Sequence, residues 1–251
     1  MEPAGPAADW KDASAYAPLL RADGSIFAWE WLRRDPAYRA AALVRGGNDQ
    51  ADAGRWGLHR LEDPALGAPA ARPIWREDAH PFVLKALAKR PVDPADAVDL
   101  RGLGGLATVL EEPGGKEYWL LSDGLRTIRL DLVGGGAARG PVELHPCLFG
   151  RASLRRPLLT LRRLLALLDS GCFAKSLHPP ERMARRWLLA LRVHDALMAG
   201  ARQRDIASQL LSPAAAVARW RVEAASIRSQ VQRLARTARA MAKDGYRAFL
   251  A

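Results

Sequence analysis

Apolar positions fall into three regimes along the chain. Between Asp9 and Val44 they recur at helical spacing. Asp9 to Leu20 reads as a short amphipathic segment, and Ala22-Asp23-Gly24 as a turn. Ile26 to Arg34 then reads as a helix capped by Ser25, and Pro36 opens a third run through Tyr38. The middle regime is different. Tyr118 to Leu121 and Arg126 to Val133 flank Ser122-Asp123-Gly124-Leu125, a hairpin turn centred on Asp-Gly. In the second arm Arg126, Ile128, Leu130 and Leu132 alternate with Thr127, Arg129 and Asp131, the pattern of a half-buried strand. From Arg151 the helical period returns. It predicts helices over Leu154 to Leu168, Glu181 to Met198 and Arg204 to Leu211, with a further helical run from Pro213 to Lys243 ended by Gly245.

These regimes divide the chain into an aromatic helical unit at 9–45, a Gly-, Pro- and Ala-rich linker at 46–81, a mixed region at 82–150 and a helical region at 151–251. The expected fold is mainly α with a small β-hairpin region, an α+β chain with a helix-turn-helix-like C-terminal domain. In the first unit Trp10, Trp29, Trp31, Tyr16 and Tyr38 predict a compact aromatic core. A base-stacking surface beside Arg33 and Arg34 is the weaker reading, because the spacing is helical and the segment carries no basic excess.

Charge then separates the halves. Residues 151–251 carry 20 Lys and Arg against 6 Asp and Glu, a surplus of 14 cations; residues 1–150 carry 18 against 21. The basic half points to a polyanionic partner, and its cations are nearly all arginine, the fork-shaped donor suited to phosphate and guanine. Two cysteines, Cys147 and Cys172, argue against a disulfide framework and fit a reducing, cytoplasmic setting. No apolar run approaches the ~18 residues of a membrane span.

Within the basic half, Gln203-Arg204-Asp205-Ile206-Ala207 reads as the short second helix of a trihelical DNA-binding unit. The recognition helix falls at Ser226 to Lys243, with Ile227, Val231, Leu234, Ala238 and Met241 inward. The DNA-contacting candidates are Arg202, Arg204, Arg228, Ser229, Gln232, Arg233, Arg236, Arg239 and Lys243. A rival reading uses the same stripe. Val217, Trp220, Ala224, Ile227, Val231, Leu234, Ala238 and Met241 step alternately by 3 and 4, a heptad seam for a homo-oligomeric adaptor or a homodimer.

Other chemistry is sparse. His145-x-Cys147 and Cys172-x5-His178 do not match a zinc spacing, so no metal is expected. Gly102-Leu103-Gly104-Gly105 is not a dinucleotide fingerprint, and His194-Asp195 lacks a nucleophile nearby; the chain reads as neither an enzyme nor a cofactor protein. Leu154 to Leu168 with its arginine pairs fits a packed helix better than a membrane-surface one.

Two stretches carry a family resemblance. Asp9-Trp10-Lys11-Asp12, Tyr16-Ala17-Pro18-Leu19 and Phe27 through Tyr38 resemble a proteobacterial transcriptional-regulator-like domain. Leu188 to Asp195, Arg204-Asp205-Ile206-Ala207, Trp220, Ile227-Arg228, Arg233-Leu234 and Gly245-Tyr246-Arg247 resemble a RovC-type DNA-binding domain. Together they resemble FseA-like activators of integrative and conjugative elements. The resemblance implies transcription activation, of element excision and transfer genes or of a secretion system, on double-stranded DNA. The N-terminal half would meet RNA polymerase or a regulatory protein.

Overall fold

A computed structural model describes residues 9–43, 49–213 and 225–251. The chain forms two compact units. One is assembled from Met1–Leu43, Asp63–Ala68 and Pro180–Phe249, the other from Val44–Glu62, Pro69–Pro179 and Leu250–Ala251.

The second unit holds a six-stranded mixed sheet curled into a half-barrel. Its strands are β1 (Val83–Lys89), β2 (Ala97–Val98), β3 (Ala107–Glu112), β4 (Lys116–Ser122), β5 (Thr127–Val133) and β6 (Val142–Pro146), in the order β2-β6-β1-β5-β4-β3. Only β1 and β5 pair in parallel, Leu84 opposite Leu130 and Ala86 opposite Leu132; the other pairs are antiparallel. The expectation of a small hairpin in a mainly α chain is therefore wrong. The hairpin exists as β4 and β5, but it is part of a sheet that also takes β3, which adjoins β4 in sequence, and β1, β2 and β6 from farther away along the chain. Valine-poor β1, VLKALAK, also places Leu84, Leu87 and Ala88 at helical spacing, which hid it.

One sheet face buries Leu84, Ala86, Trp119, Ile128, Leu130 and Leu132. The helix Arg155–Ser170 packs on it through Thr160, Leu164 and Leu167, and Gly171, at φ +68°, closes that helix. Part of the opposite face is covered as well, so β5 is buried on both sides rather than half-buried. Arg129 is 1% exposed, donating from Nε to the Trp75 carbonyl at 3.0 Å and pairing with Asp131 at 2.8 Å. The stretch expected to be linker contributes this cover: Trp56 and Trp75 are buried, and Leu58 bridges to Trp75. Gly124, at φ +91°, lets the hairpin turn lie directly against the Pro69 carbonyl, where a Cβ would collide.

In chain order the helices are α1 (Gly24–Leu32), α2 (Pro36–Leu43), α3 (Asp49–Arg55), α4 (Arg155–Ser170), α5 (Ala184–Met198), α6 (Gln203–Leu210) and α7 (Ala225–Lys243). Short 3-10 turns cover Ser14–Arg21 and Gly245–Phe249. The cap of α1 is Asp23, not Ser25: its carboxylate accepts from the Ile26 backbone N–H at 3.2 Å, and the Ser25 hydroxyl donates to the same carboxylate. Every residue from Ser25 to Leu32 is buried, because α1 is enclosed within its unit instead of lying on its surface.

What encloses α1 is the C-terminal helical region. Phe27 meets Trp187 of α5 edge-on at 5.1 Å, and Trp187 meets Phe249 at 4.6 Å. Trp29 and Trp31 are 0% and 1% exposed, so the aromatic residues form a core and not a stacking platform. Arg33 and Arg34 are buried too. Arg34 makes two hydrogen bonds to Asp195 of α5, at 2.7 and 2.9 Å, and donates to the Glu30 carboxylate and backbone carbonyl, each at 2.6 Å. Tyr16 donates to Asp195 at 2.7 Å, and Arg33 donates to Glu30 at 2.8 Å.

Candidate nucleic-acid interface

The interface is built on α5, α6 and α7, which pack on one another. The short helix α6 turns Ile206 and Ala207 fully inward. Its first turn is closed by Asp205, whose carboxylate accepts from the Arg202 backbone N–H at 3.3 Å. Arg202 and Arg204 stand exposed at that end.

The sequence of α7, ASIRSQVQRLARTARAMAK, has no acidic residue and no Gly or Pro. Val231, Leu234, Ala235 and Ala238 are buried; Ile227 and Met241 are half-buried at the ends of the same stripe. This stripe is used inside the unit, against α5 and α6. The heptad positions Val217, Trp220 and Ala224 lie outside the described residues.

Opposite the stripe, Ser229, Gln232, Arg233, Arg236, Arg239 and Lys243 are all exposed. At 3.6 residues per turn they fall within about 120° of arc, so one helix face presents four cations and two further hydrogen-bonding groups end to end. Arg233, Arg236, Arg239 and Lys243 have no ion pair among the described residues. Arg228 sits apart from them, half-buried at the edge of the stripe. A row of like charges of this kind costs self-repulsion and is the electrostatic footprint of a surface suited to a polyanion.

Three cations escaped the sequence reading. Arg182, Arg185 and Arg186 are exposed around the first turn of α5, where the helix dipole disfavours positive charge. Their density was visible in the sequence; their exposure was not, because Trp187 beside them marks the buried side.

Support for the interface comes from the buried ion network. Burial alone would raise the Glu30 carboxyl, but the Arg34 and Arg33 guanidiniums outweigh it and hold the group below its ordinary value. Burial and the Asp195 carboxylate push the Tyr16 phenol up, so it stays a donor. His194, read as a core or surface residue, packs edge-on to Trp31, and burial lowers its pKa.

The possible metal ligands are separate in character. Cys172 is exposed, Cys147 half-buried, His145 pairs with Glu143 at 2.8 Å, and His178 is buried. Among the described residues no three His, Cys, Asp or Glu side chains gather as a metal cluster, and no helix is long and apolar enough to cross a membrane.

Residues 151–251 match the family described as "T6SS, Transcription factor, DNA binding domain", and residues 9–59 match the "Proteobacterial transcriptional regulator-like domain". No curated protein matches the chain. The chain thus combines a proteobacterial transcriptional-regulator-like domain with a RovC-type DNA-binding domain, and it is a transcription regulator of that architecture.

Proposed function

We propose that the protein is a transcriptional activator that reads double-stranded DNA with the outward face of α7. One observation carries this: an acid-free row of exposed cations, backed by a buried apolar stripe, within the segment that matches a DNA-binding family. Arg202 and Arg204 at the start of α6, with Arg239 and Lys243 at the far end of α7, take phosphates. Arg228, Ser229, Gln232, Arg233 and Arg236 lie on the part of the helix that addresses base edges. Its target genes belong to a secretion system or to an integrative and conjugative element; the description of the C-terminal family favours the first. The N-terminal domain supplies contacts to RNA polymerase or to a regulatory protein.

The test uses the full chain and labelled duplex DNA in an anisotropy titration. With ~5 phosphates neutralised, log K falls against log salt with a slope of roughly −4 to −5. Arg233→Ala/Arg236→Ala/Lys243→Ala should lower affinity at least tenfold at unchanged melting temperature. Salt-independent binding, or a triple variant that binds as the native protein does, overturns the assignment. A reporter fusion to promoters recovered with the protein then decides activation.

A further inference from the structure

The sheet unit carries a groove whose chemistry is the reverse of α7. It lies between the edge of the sheet and α4 and encloses about 640 Å³. Its floor is apolar: Leu84 and Leu144 from the sheet, with Leu161, Leu164, Leu165 and Leu168 from α4. The helical contributions run i, i+3, i+4, i+7, so the floor is about 10 Å long on that side. Four carboxylates rim it, those of Asp96, Asp99, Glu143 and Asp169, and no Lys, Arg or His lines it.

Three of these carboxylates belong to the half of the chain with 18 cations against 21 anions, and Asp169 lies in the basic half. Two of the carboxylates serve the fold. Asp99 accepts from the Arg101 backbone N–H, and Glu143 accepts from the Val92 N–H and pairs with His145. The carboxylates of Asp96 and Asp169 have no ion pair or hydrogen bond among the described residues. Asp169 also sits in the last turn of α4, where the helix dipole opposes an anion. Leu165, one turn before Asp169 on α4, is 51% exposed. An exposed leucine and an anion at a helix C-terminus do not stabilise this surface, which leaves binding as their use.

We infer that this groove docks a cationic amphipathic helix of a protein partner. Charge complementarity selects the occupant: nucleic acid and anionic membrane are repelled by the rim, whereas a helix with apolar residues at i, i+3, i+4, i+7 and Lys or Arg beside them satisfies floor and rim together. The site is separate from α7 in sequence and opposite in sign, so the regulator has one surface for DNA and another for protein.

The probe is a fluorescein-labelled 14-residue helical peptide with Leu at i, i+3, i+4, i+7 and Lys elsewhere, titrated with the full-length protein. A counterpart with every Lys replaced by Glu is the control. The cationic peptide should bind saturably at one site and the acidic one at least tenfold more weakly. Asp96→Asn/Asp169→Asn and, separately, Leu165→Ser should each weaken the cationic peptide at least fivefold. Both positions are exposed, so melting temperature stays within a few degrees. Leu165→Ser should leave duplex DNA affinity within twofold at matched salt, which keeps this test independent of the DNA reading. Equal binding of the two peptides, or binding unaffected by both variants, overturns the inference. Sedimentation showing self-association of the native chain that Leu165→Ser abolishes also overturns it, because the occupant is then a second copy.

Discussion

Asp195→Asn should be the most damaging single conservative change in the helical unit. Asp195 is 2% exposed, and its carboxylate receives two hydrogen bonds from Arg34 and one from Tyr16. Glu30, Arg33, Arg34 and Asp195 balance as two anions and two cations inside the core. The amide keeps the shape, but it leaves one uncompensated buried positive charge and faces one Arg34 donor with an N–H₂ group. Removing one member of a buried pair costs about 3–5 kcal/mol. For a chain of this size that is a fall in melting temperature of roughly 6–20 °C. Calorimetry and urea unfolding measure it directly. Arg34→Met/Asp195→Met removes both charges of that pair, and Glu30 with Arg33 remains, so it should recover more than half of the loss. An Asp195→Asn variant within 0.5 kcal/mol of the native protein, about the scale of an exposed pair, would show that the network does not hold α1 to α5.

Three further outcomes are expected. Arg228→Ala or Arg233→Ala should cost ~1–3 kcal/mol on the specific site with little effect on random DNA. Lys243→Ala should weaken both DNAs alike and flatten the salt slope by about one unit; equal losses on both DNAs for Arg228 and Arg233 would remove α7 as the reader. Trp29→Ala should destabilise by about 3–5 kcal/mol, since the ring is fully enclosed and its indole N–H donates to the Leu66 carbonyl at 2.9 Å; an unchanged urea midpoint would contradict this. His178 is held neutral by burial, its pKa lowered to about 3, and neither ring nitrogen has a partner among the described residues. Its unfolded value near 6.5 means that the folded state loses stability as pH falls below ~6.5, by at most about 3 kcal/mol at pH 4. His178→Phe should flatten that part of the stability–pH curve, and a curve of unchanged slope would refute it.

Periodicity found the helices because their information is local. The stripe Val231, Leu234, Ala238 and the pair Ile206-Ala207 turned inward as their spacing required. The parallel pairing of β1 with β5 was hidden because it is not local: Leu84 meets Leu130 across 46 residues, and no run of seven residues announces such a partner. The central position of β5 made Arg129 look like a surface residue when it is a core donor. Arg33 and Arg34 left a second reading open for a related reason, since a charged pair next to tryptophans is solvated or buried according to whether a counter-charge arrives, and here Glu30 and Asp195 supply it. The six exposed positions on α7 could be picked from helical phase alone, whereas the groove beside α4 required knowing which strands flank it.

The helical unit draws on three stretches of chain, two before the sheet and one after it, with α1 enclosed by Trp187 and the turn Gly245–Phe249. During synthesis α1 therefore leaves the ribosome long before these partners exist, and its eight buried residues wait for residues about 160 to 220 positions downstream. The sheet unit, by contrast, is nearly complete by residue 179. A ribosome stalled before α7 leaves the tryptophan-rich α1 without its full cover and the chain without the exposed row of cations on α7. On the proposed reading such a product has no surface for DNA. The interleaving ties the proposed DNA-binding face to synthesis through α7.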